Sequence, residues 1–362
     1  MAKIAVDARP LADPTTGIGR YTWAVLKRLI RSEHNWYLYS HKPLLHDFGL
    51  SQNVVIRSGN IRPNALGSIF AQAVFPVWCR RDRVDLFWTP RHHLPMFIGA
   101  STARLVTIHD LVWKMYPYTM PRLGRYLERA LMPQSLKKAD AVVAVSDSTA
   151  DELVESFPMY ANKLRTIYEA PFIEASSSRV VLGGYFLFVG TIEPRKNLLR
   201  LLDAYNVYQS NVNNPLPLRI CGGAGWGVPG LEGLIQCKGL SDYVQVLGYV
   251  DDEKLVELYS NARAVLLPSL YEGFGLPIVE AFGQGTPVIT SNRGAMREIG
   301  GDAALLVDPE SVDQIAASLN ELTVNIPLVE RLQGLATKRA GLFCWDRAAE
   351  QTLELMESLI SI

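Results

Sequence analysis

Short apolar, β-branched runs alternate along the chain with amphipathic stretches of helical length, the pattern of parallel α/β layering. In the first half, strands are predicted at Lys3–Asp7, Trp36–Ser40, Val84–Trp88, Leu105–His109 and Ala141–Val145. Between the first two, Tyr21, Val25, Leu26, Leu29 and Ile30 recur at helical spacing. In the second half, strands are predicted at Tyr185–Val189, Leu218–Cys221, Val244–Leu247, Ala264–Leu267, Val288–Thr290 and Ala304–Val307. Helices fit Leu198–Tyr208, Asp252–Tyr259, Pro277–Phe282 and Ser311–Leu322. The pattern breaks from Pro171 to Arg179, where Ala175-Ser176-Ser177-Ser178 reads as a linker. Two doubly wound sheets follow, and such sheets bind ligands at the carboxyl ends of their strands, near a switch point.

A chain of 362 residues suits about two domains of ordinary size. With 48% hydrophobic and 20% charged residues it belongs to the soluble globular class and not to the disordered one. No apolar run approaches the roughly 18–20 residues of a spanning helix, and Met1-Ala2-Lys3 leading straight into a strand predicts no signal peptide. Cys79, Cys221, Cys237 and Cys344 lack metal or redox spacing and read as buried free thiols in a reducing cytosol.

The formal net charge of zero hides a polarity. Residues 1–172 hold 22 Lys and Arg against 14 Asp and Glu, a formal +8, which leaves −8 for the remainder. All six histidines also lie in the first half. Its densest basic stretch runs from Trp113 to Lys138, where Lys114, Arg122, Arg125, Arg129, Lys137 and Lys138 face one acid, Glu128. Trp113, Tyr116, Tyr118 and Tyr126 interleave with them. That mixture fits the headgroup region of an anionic membrane; the alternative is a solvated helix face whose aromatics belong to the core. A pI near 7.0 and the lack of a reading motif argue against nucleic acid.

The candidate chemistry centres on Leu266-Leu267-Pro268-Ser269-Leu270-Tyr271-Glu272-Gly273-Phe274-Gly275-Leu276-Pro277-Ile278-Val279-Glu280. An apolar strand ends at Pro268, a glycine-rich turn follows, and Pro277 opens a helix. The helix N-terminus aims free N–H groups at any anion over the turn. Glu272 and Glu280, both acceptors of hydroxyl protons, flank that position, which suits a diphosphate with sugars at both ends: a nucleotide-sugar. Arg195 and Lys196 follow the strand ending at Val189 and open the next helix, where two cations can neutralise a diphosphate. Two such cations can stand in for a metal, and no Asp-x-Asp motif is present. A plain surface Arg-Lys pair is the alternative. Gly222-Gly223-Ala224-Gly225-Trp226-Gly227 either admits the nucleotide closely or is a glycine-rich surface loop.

These residues resemble a known family. The Glu-x7-Glu stretch, with Gly285-Thr286-Pro287-Val288-Ile289 after it, is similar to the donor-site signature of the retaining glycosyltransferases of family 4, which have the GT-B fold. Val189-Gly190-Thr191-Ile192-Glu193-Pro194-Arg195-Lys196-Asn197 resembles that family's diphosphate-binding turn. Ile4-Ala5-Val6-Asp7-Ala8-Arg9-Pro10 with Thr16-Gly17-Ile18-Gly19-Arg20-Tyr21 is similar to the subgroup of bacterial O-antigen mannosyltransferases. The resemblance implies an α/β GT-B architecture of two Rossmann-like domains facing across a cleft. Residues 1–172 would be the acceptor-binding domain, joined by a helix within 346–362 that crosses back, and 180–345 would bind the donor. It implies that Glu280 accepts from ribose hydroxyls, Glu272 from donor-sugar hydroxyls, and that His109 sits against the donor sugar near the reacting carbon. N–H groups of Phe274, Gly275 and Leu276 would hold phosphate or sugar oxygens, a close approach that a Cβ at the glycine would prevent. Gly17 and Gly19 would face the diphosphate, and Tyr249 and Val250 would border the base. His92 and His93 are further strand-end candidates for the acceptor side. Thr191 departs from the family pattern, in which many relatives carry Arg after the glycine; Arg195 is the candidate substitute.

The implied activity is retaining transfer of a hexose, mannose or rhamnose, from a nucleotide-sugar, with GDP as the favoured nucleotide, to a lipid-linked or oligosaccharide acceptor. No metal or other cofactor is implied, and the expected location is cytoplasmic, peripheral on the inner face of the membrane. A soluble enzyme of the same fold with a small acceptor is the nearest rival. A nicotinamide-dependent oxidoreductase also uses two α/β domains, but no complete G-x-G-x-x-G follows Asp7 or Cys221. A non-catalytic sugar-binding protein is a third possibility.

Overall fold

Parallel strands need crossover connections, and the alternation in the sequence supplies them. The computed structural model describes residues 1–13, 16–46, 48, 52–61, 64–175, 182–228 and 230–361. One sheet contains β1 (Lys3–Asp7), β2 (Asn35–Ser40), β3 (Val54–Ser58), β4 (Leu86–Thr89), β5 (Ala103–Ile108), β6 (Ala141–Ala144) and β7 (Leu164–Thr166). The other contains β8 (Tyr185–Val189), β9 (Leu218–Cys221), β10 (Val244–Gly248), β11 (Ala262–Leu267), β12 (Val288–Ser291) and β13 (Ala304–Val307). Their orders are β3-β2-β1-β4-β5-β6-β7 and β10-β9-β8-β11-β12-β13, and every described pairing is parallel. Strand order reverses between β1 and β4, and between β8 and β11. These are the positions at which doubly wound sheets open a crevice for ligand.

Two compact units result. The first comprises Met1–Trp113, Arg122–Glu169 and Cys344–Ile362, and the second Lys114–Pro121 and Ala170–Phe343. Central strands of both are apolar on both faces, as helix-covered parallel strands must be; all five residues of β8 are buried. Phe75, Phe87, Val106 and Leu136 belong to the first core, and Phe186, Leu201, Tyr205 and Leu266 to the second. Helices start where the sequence offers a cap. Thr16, Ser146, Asp251 and Ser311 each accept the N–H three residues on. Of the expected linker, Ser176 to Arg179 lie outside the described residues.

The last helix, Trp345–Ile360, returns to the first unit. It packs on the helix Gly17–Leu29, where Arg28 Nε lies 2.5 Å from Asp346 Oδ1 and the Trp345 ring meets Tyr21 edge-on at 5.9 Å. His34 Nε2 adds a 3.0 Å contact with Glu357 Oε1. The unit boundary falls between Phe343 and Cys344, within the stretch Phe343-Cys344-Trp345.

Several elements escape the periodicity. β3 and β7 are edge strands, partly exposed and short, so neither shows a clean alternation. The helices Asn64–Asp82 and Arg122–Lys138 carry Pro76 and Pro133 inside them. Proline removes a backbone donor and reads as a helix breaker in sequence. Helix Ile326–Ala340 starts with Pro327 behind Asn325, whose side chain accepts the Leu328 N–H at 3.1 Å. Two readings of side-chain environment also need correction. Cys79 and Cys221 are buried, but Cys237 and Cys344 are exposed, because each sits at a helix end facing solvent. Among the interleaved aromatics, Trp113 packs on the first core and its Nε1 meets Met132 Sδ at 3.2 Å, while Tyr116 lies 5.5 Å from the Tyr271 ring. Tyr118 and Tyr126 remain exposed.

Candidate active site

The switch point of the second unit gathers residues far apart in sequence. β8 ends at Val189 and the chain turns through Gly190 into the short turn Pro194–Lys196; β11 ends at Leu267 and runs on to Glu272. Adjacent parallel strands therefore deliver Arg195, Lys196 and Glu272 to one place. Glu272 is bound by the Arg195 guanidinium, by Lys196 Nζ at 2.6 Å and by the Ser269 hydroxyl at 2.9 Å. Arg195 Nη2 also meets Glu193 Oε1 at 2.6 Å, and its Nη1 donates to the Tyr271 carbonyl at 3.0 Å. Burial alone would raise the Glu272 carboxyl, but the two cations hold it down to about 2. Two acids and two bases thus balance in a cluster where Lys196 and Glu272 are buried and Glu193 and Arg195 half-buried. An arriving diphosphate would compete with Glu272 for the same cations.

Backbone geometry fixes this cluster. Asn197 adopts a left-handed conformation (φ 60°, ψ 27°) at the start of helix Leu198–Asn211. Its side-chain amide donates to the Pro268 carbonyl at 2.9 Å and the Pro309 carbonyl at 2.7 Å. The turn after β8 is thereby stitched to the end of β11. Gly275 caps helix Leu276–Gly283 at φ 98°, which explains glycine there. Pro277 is the second helical residue, one position later than its sequence reading. Phe274 is buried edge-on against Phe343 at 5.8 Å, and Leu276 is half-buried. Thr191 is exposed, and Gly223 to Gly225 pack beside it through the Ile192–Ala224 bridge.

Glu280, on the same helix, is buried, and its Oε2 accepts from the Tyr259 hydroxyl at 2.8 Å. Cys221 at the end of β9 is pushed up to about 11 by burial and then by the negative charge of Glu280. The Val250 N–H bonds to that sulfur, so Glu280, Cys221 and Val250 form one neighbourhood. Tyr249 projects from it with 71% of its surface exposed.

The first unit holds its own strand-end group. His109 follows β5; its Nδ1 faces Glu169 Oε1 at 2.9 Å, its Nε2 donates to the Pro90 carbonyl at 3.0 Å, and Tyr21 stands edge-on at 4.8 Å. The His109 N–H donates to His92 Nε2 at 3.1 Å, while His92 Nδ1 and His93 Nε2 both approach Glu128 Oε2, at 3.2 and 3.1 Å. The one acid of the basic stretch is therefore engaged with two histidines. Gly17 opens helix Gly17–Leu29 with open space around it. The Gly19 N–H is different. It donates to Thr16 Oγ1 at 3.0 Å, and a Cβ at this position would lie 2.8 Å from the Pro10 carbonyl oxygen. Gly19 thus supplies close packing and not the free donor expected of it.

Comparison with known proteins identifies the family. Residues 15–170 match the family described as Glycosyltransferase Family 4, and residues 176–339 match Glycosyl transferases group 1. The O-antigen chain mannosyltransferase B of Escherichia coli is 30% identical over 384 aligned residues, covering 99% of this chain and 100% of that protein. The chain belongs to glycosyltransferase family 4. The oxidoreductase alternative falls with that assignment. Among solved structures, the sucrose-phosphate synthase of Thermosynechococcus elongatus superposes with a TM-score of 0.79 at 20% identity, covering both chains fully. Anabaena HepE, solved in complex with UDP-glucose, superposes at 0.74 with 19% identity and full coverage of both. These likenesses establish the GT-B fold for this glycosyltransferase. No helix among the described residues is long and apolar enough to cross a membrane.

Sequence reasoning passed over Asn197, Ser269 and Tyr259 in the second unit and Glu169 in the first. Asn197 carried a signal, since asparagine is the non-glycine residue that best tolerates positive φ between a turn and a helix. Glu169 carried none: it is 60 residues from His109, and only β7 pairing with β6 brings it alongside.

Proposed function

We propose that this transferase moves a hexose, mannose or rhamnose, from a GDP-linked donor to a lipid-linked glycan, with retention, during assembly of a bacterial O-antigen or related polysaccharide. The observation that carries this reading is the Arg195–Lys196–Glu272 cluster at the β8/β11 switch point. A leaving nucleoside diphosphate gains negative charge as the glycosidic bond breaks, and preorganised cations at that position lower the barrier. Arg195 and Lys196 supply the charge that a metal would otherwise bring. The UDP-glucose complex of HepE supports a nucleotide-sugar donor, and the end-to-end match with an O-antigen chain mannosyltransferase supports the sugar and the pathway class.

In this reading the second unit holds the donor. Glu280 and the Tyr249–Val250 segment bind the nucleoside, and Thr191 with the backbone of Phe274, Gly275 and Leu276 holds phosphate and sugar oxygens. The first unit binds the acceptor, with His109 beside the donor sugar and Gly17 facing the diphosphate. Retention by double displacement needs a carboxylate nucleophile under the anomeric carbon. Glu272 is tied to two cations and Ser269, and Glu280 to Tyr259, which supports instead a same-face reaction. There the departing diphosphate takes the proton of the incoming hydroxyl. Helix Arg122–Lys138 exposes Leu123, Tyr126 and Leu127 on a helix that also carries Arg122 and Arg129, which supports peripheral attachment to the anionic inner face of the cytoplasmic membrane.

A thermal-shift panel of nucleotide-sugars, followed by transfer to a polyprenyl-diphosphate-linked acceptor and NMR of the new anomer, tests the proposal. A GDP-sugar should give the largest shift and an α-linked product should form. No shift with any nucleotide-sugar, or an inverted anomer, would reject it. Sedimentation with anionic liposomes separates the lipid-linked reading from a small-acceptor enzyme, which would stay in the supernatant at any salt.

A further inference from the structure

His109 is held just past the end of β5 at three polar groups. Two of them are on its ring: Nδ1 faces Glu169 Oε1 at 2.9 Å, and Nε2 donates to the Pro90 carbonyl at 3.0 Å. With both nitrogens engaged, the ring cannot turn without losing a bond, so its place is set by the main chain that carries it. That main chain has left the sheet. The pairing of β5 stops at Val106 opposite Thr89 on β4 and at Ile108 opposite Ala144 on β6, and the His109 N–H lies beyond both ladders. It donates instead to His92 Nε2 at 3.1 Å, the ring of a buried residue three positions past the end of β4.

A backbone N–H can only donate, so His92 Nε2 is bare and the proton of the neutral ring sits on Nδ1. Nδ1 faces Glu128 Oε2 at 3.2 Å, an acceptor for that proton. Glu128 thus selects the tautomer that His109 requires. We propose that His92, with Glu128 behind it, is a positioning residue for the sugar transfer: its bare Nε2 fixes the backbone of His109, and with it the ring that the transferase reading above puts beside the donor sugar. The assignment rests on that reading. An imidazole acceptor, unlike an amide, fails when it takes a second proton, because Nε2–H and the His109 N–H are then two donors face to face. The charged groups around His92 are Glu128 on helix Arg122–Lys138, Asp110 just past β5 and the neighbouring Arg91, with the His93 and His109 rings at 6.4 and 5.9 Å. Burial lowers the basicity of the His92 ring, but Glu128 and then Asp110 leave it above the ordinary histidine value. The anchor is intact on the alkaline side of that titration and released on the acid side.

Two measurements on the full-length protein test it. The first needs no substrate. In proton–nitrogen NMR spectra of histidine-labelled protein at about pH 8.5, above the histidine range, the ring signals that vanish in His92→Gln should show a protonated Nδ1 and a bare Nε2. The His109 amide signal should move as the pH is lowered, with the midpoint of the His92 ring. A bare Nδ1 on His92, or a His109 amide that ignores its titration, overturns the proposal. The second measurement compares kcat and donor KM across pH for wild type, His92→Gln and His92→Leu. Glutamine places Oε1 as many bonds from Cβ as histidine places Nε2, so it keeps an acceptor that does not titrate; leucine keeps bulk but no acceptor. His92→Leu should lose roughly five- to hundredfold in kcat with donor KM within about twofold, as expected when a buried N–H loses its partner and the loss is felt in the transition state. His92→Gln should stand above His92→Leu by at least about threefold, the smaller end of one hydrogen bond's worth, and should lack the acid limb of the wild-type profile. A wild-type kcat in His92→Leu, or an acid limb unchanged in His92→Gln, overturns the proposal. So do equal losses of kcat and Tm in both variants, which would mark His92 as structural. Absence of transfer from every nucleotide-sugar would reject the function proposed above, while the NMR arm would still decide whether His92 holds His109.

Discussion

Replacing Glu272 with glutamine tests whether the cation cluster is held ready by its own carboxylate. The side chain keeps its shape and one acceptor oxygen but loses the charge that Arg195 and Lys196 share. The carboxyl is held near 2 against an ordinary value of 4.5. At 1.36 kcal/mol for each pH unit, its charged form contributes about 3 kcal/mol to the folded state. That agrees with the roughly 3–5 kcal/mol expected when one partner of a buried pair is removed. For a domain of this size it corresponds to a drop in Tm of roughly 6–12 °C, large but short of unfolding at room temperature. The assay is thermal unfolding with and without a nucleoside diphosphate. If the phosphates take over the cations that Glu272 occupies in the empty protein, the ligand should return much of the lost stability to Glu272→Gln and raise its Tm by more than that of wild type. A variant that melts like wild type would refute the electrostatic argument. One that loses stability but gains nothing extra from the nucleotide would refute the competition between carboxylate and diphosphate.

Further predictions concern the same neighbourhood. Lys196→Ala should fold normally by circular dichroism yet lose most of its turnover; normal activity would remove the diphosphate assignment. Asn197→Ala loses two buried hydrogen bonds and strains a left-handed position, which should cost about 2–4 kcal/mol of stability, read as a lowered urea unfolding midpoint. An unchanged midpoint would mean that the stitch between the β8 turn and β11 is unimportant. Because the Glu272 pKa is lowered in the fold, its contribution is complete above about pH 4.5–5 and fades as pH falls toward about 2. Stability measured across that interval should therefore fall more steeply in wild type than in Glu272→Gln, and parallel curves would contradict the assignment.

Much of the architecture was readable from residue order. The interior strands of both sheets, with Ile4–Val6 and Tyr185–Val189 among their apolar runs, are apolar because helices cover both faces, and burial on both sides leaves a strong mark on composition. β3 and β7 left a weaker mark because an edge strand is half in solvent and tolerates polar residues. The helices containing Pro76 and Pro133 were hidden by a local breaker that tertiary packing overrides. In the candidate site, the residue types were legible wherever the chemistry is local: Glu272, Gly275 and Glu280 lie within one strand-to-helix turn, and Arg195 and Lys196 within another.

What the sequence determined by itself, then, was the parallel layering and two short segments rich in the groups that bind a phosphorylated sugar; the return of the last helix was implied by the family resemblance. What only the tertiary structure decided was which of those groups meet. Glu272 reaches Lys196 because β8 and β11 are neighbours, although 76 residues separate the pair. Glu169 reaches His109 for the same kind of reason, through the neighbouring strands β5, β6 and β7. Local sequence encodes propensity and side-chain chemistry over a few residues, whereas electrostatic energy depends on distance in space. Strand order sets that distance, and no periodicity along the chain records it.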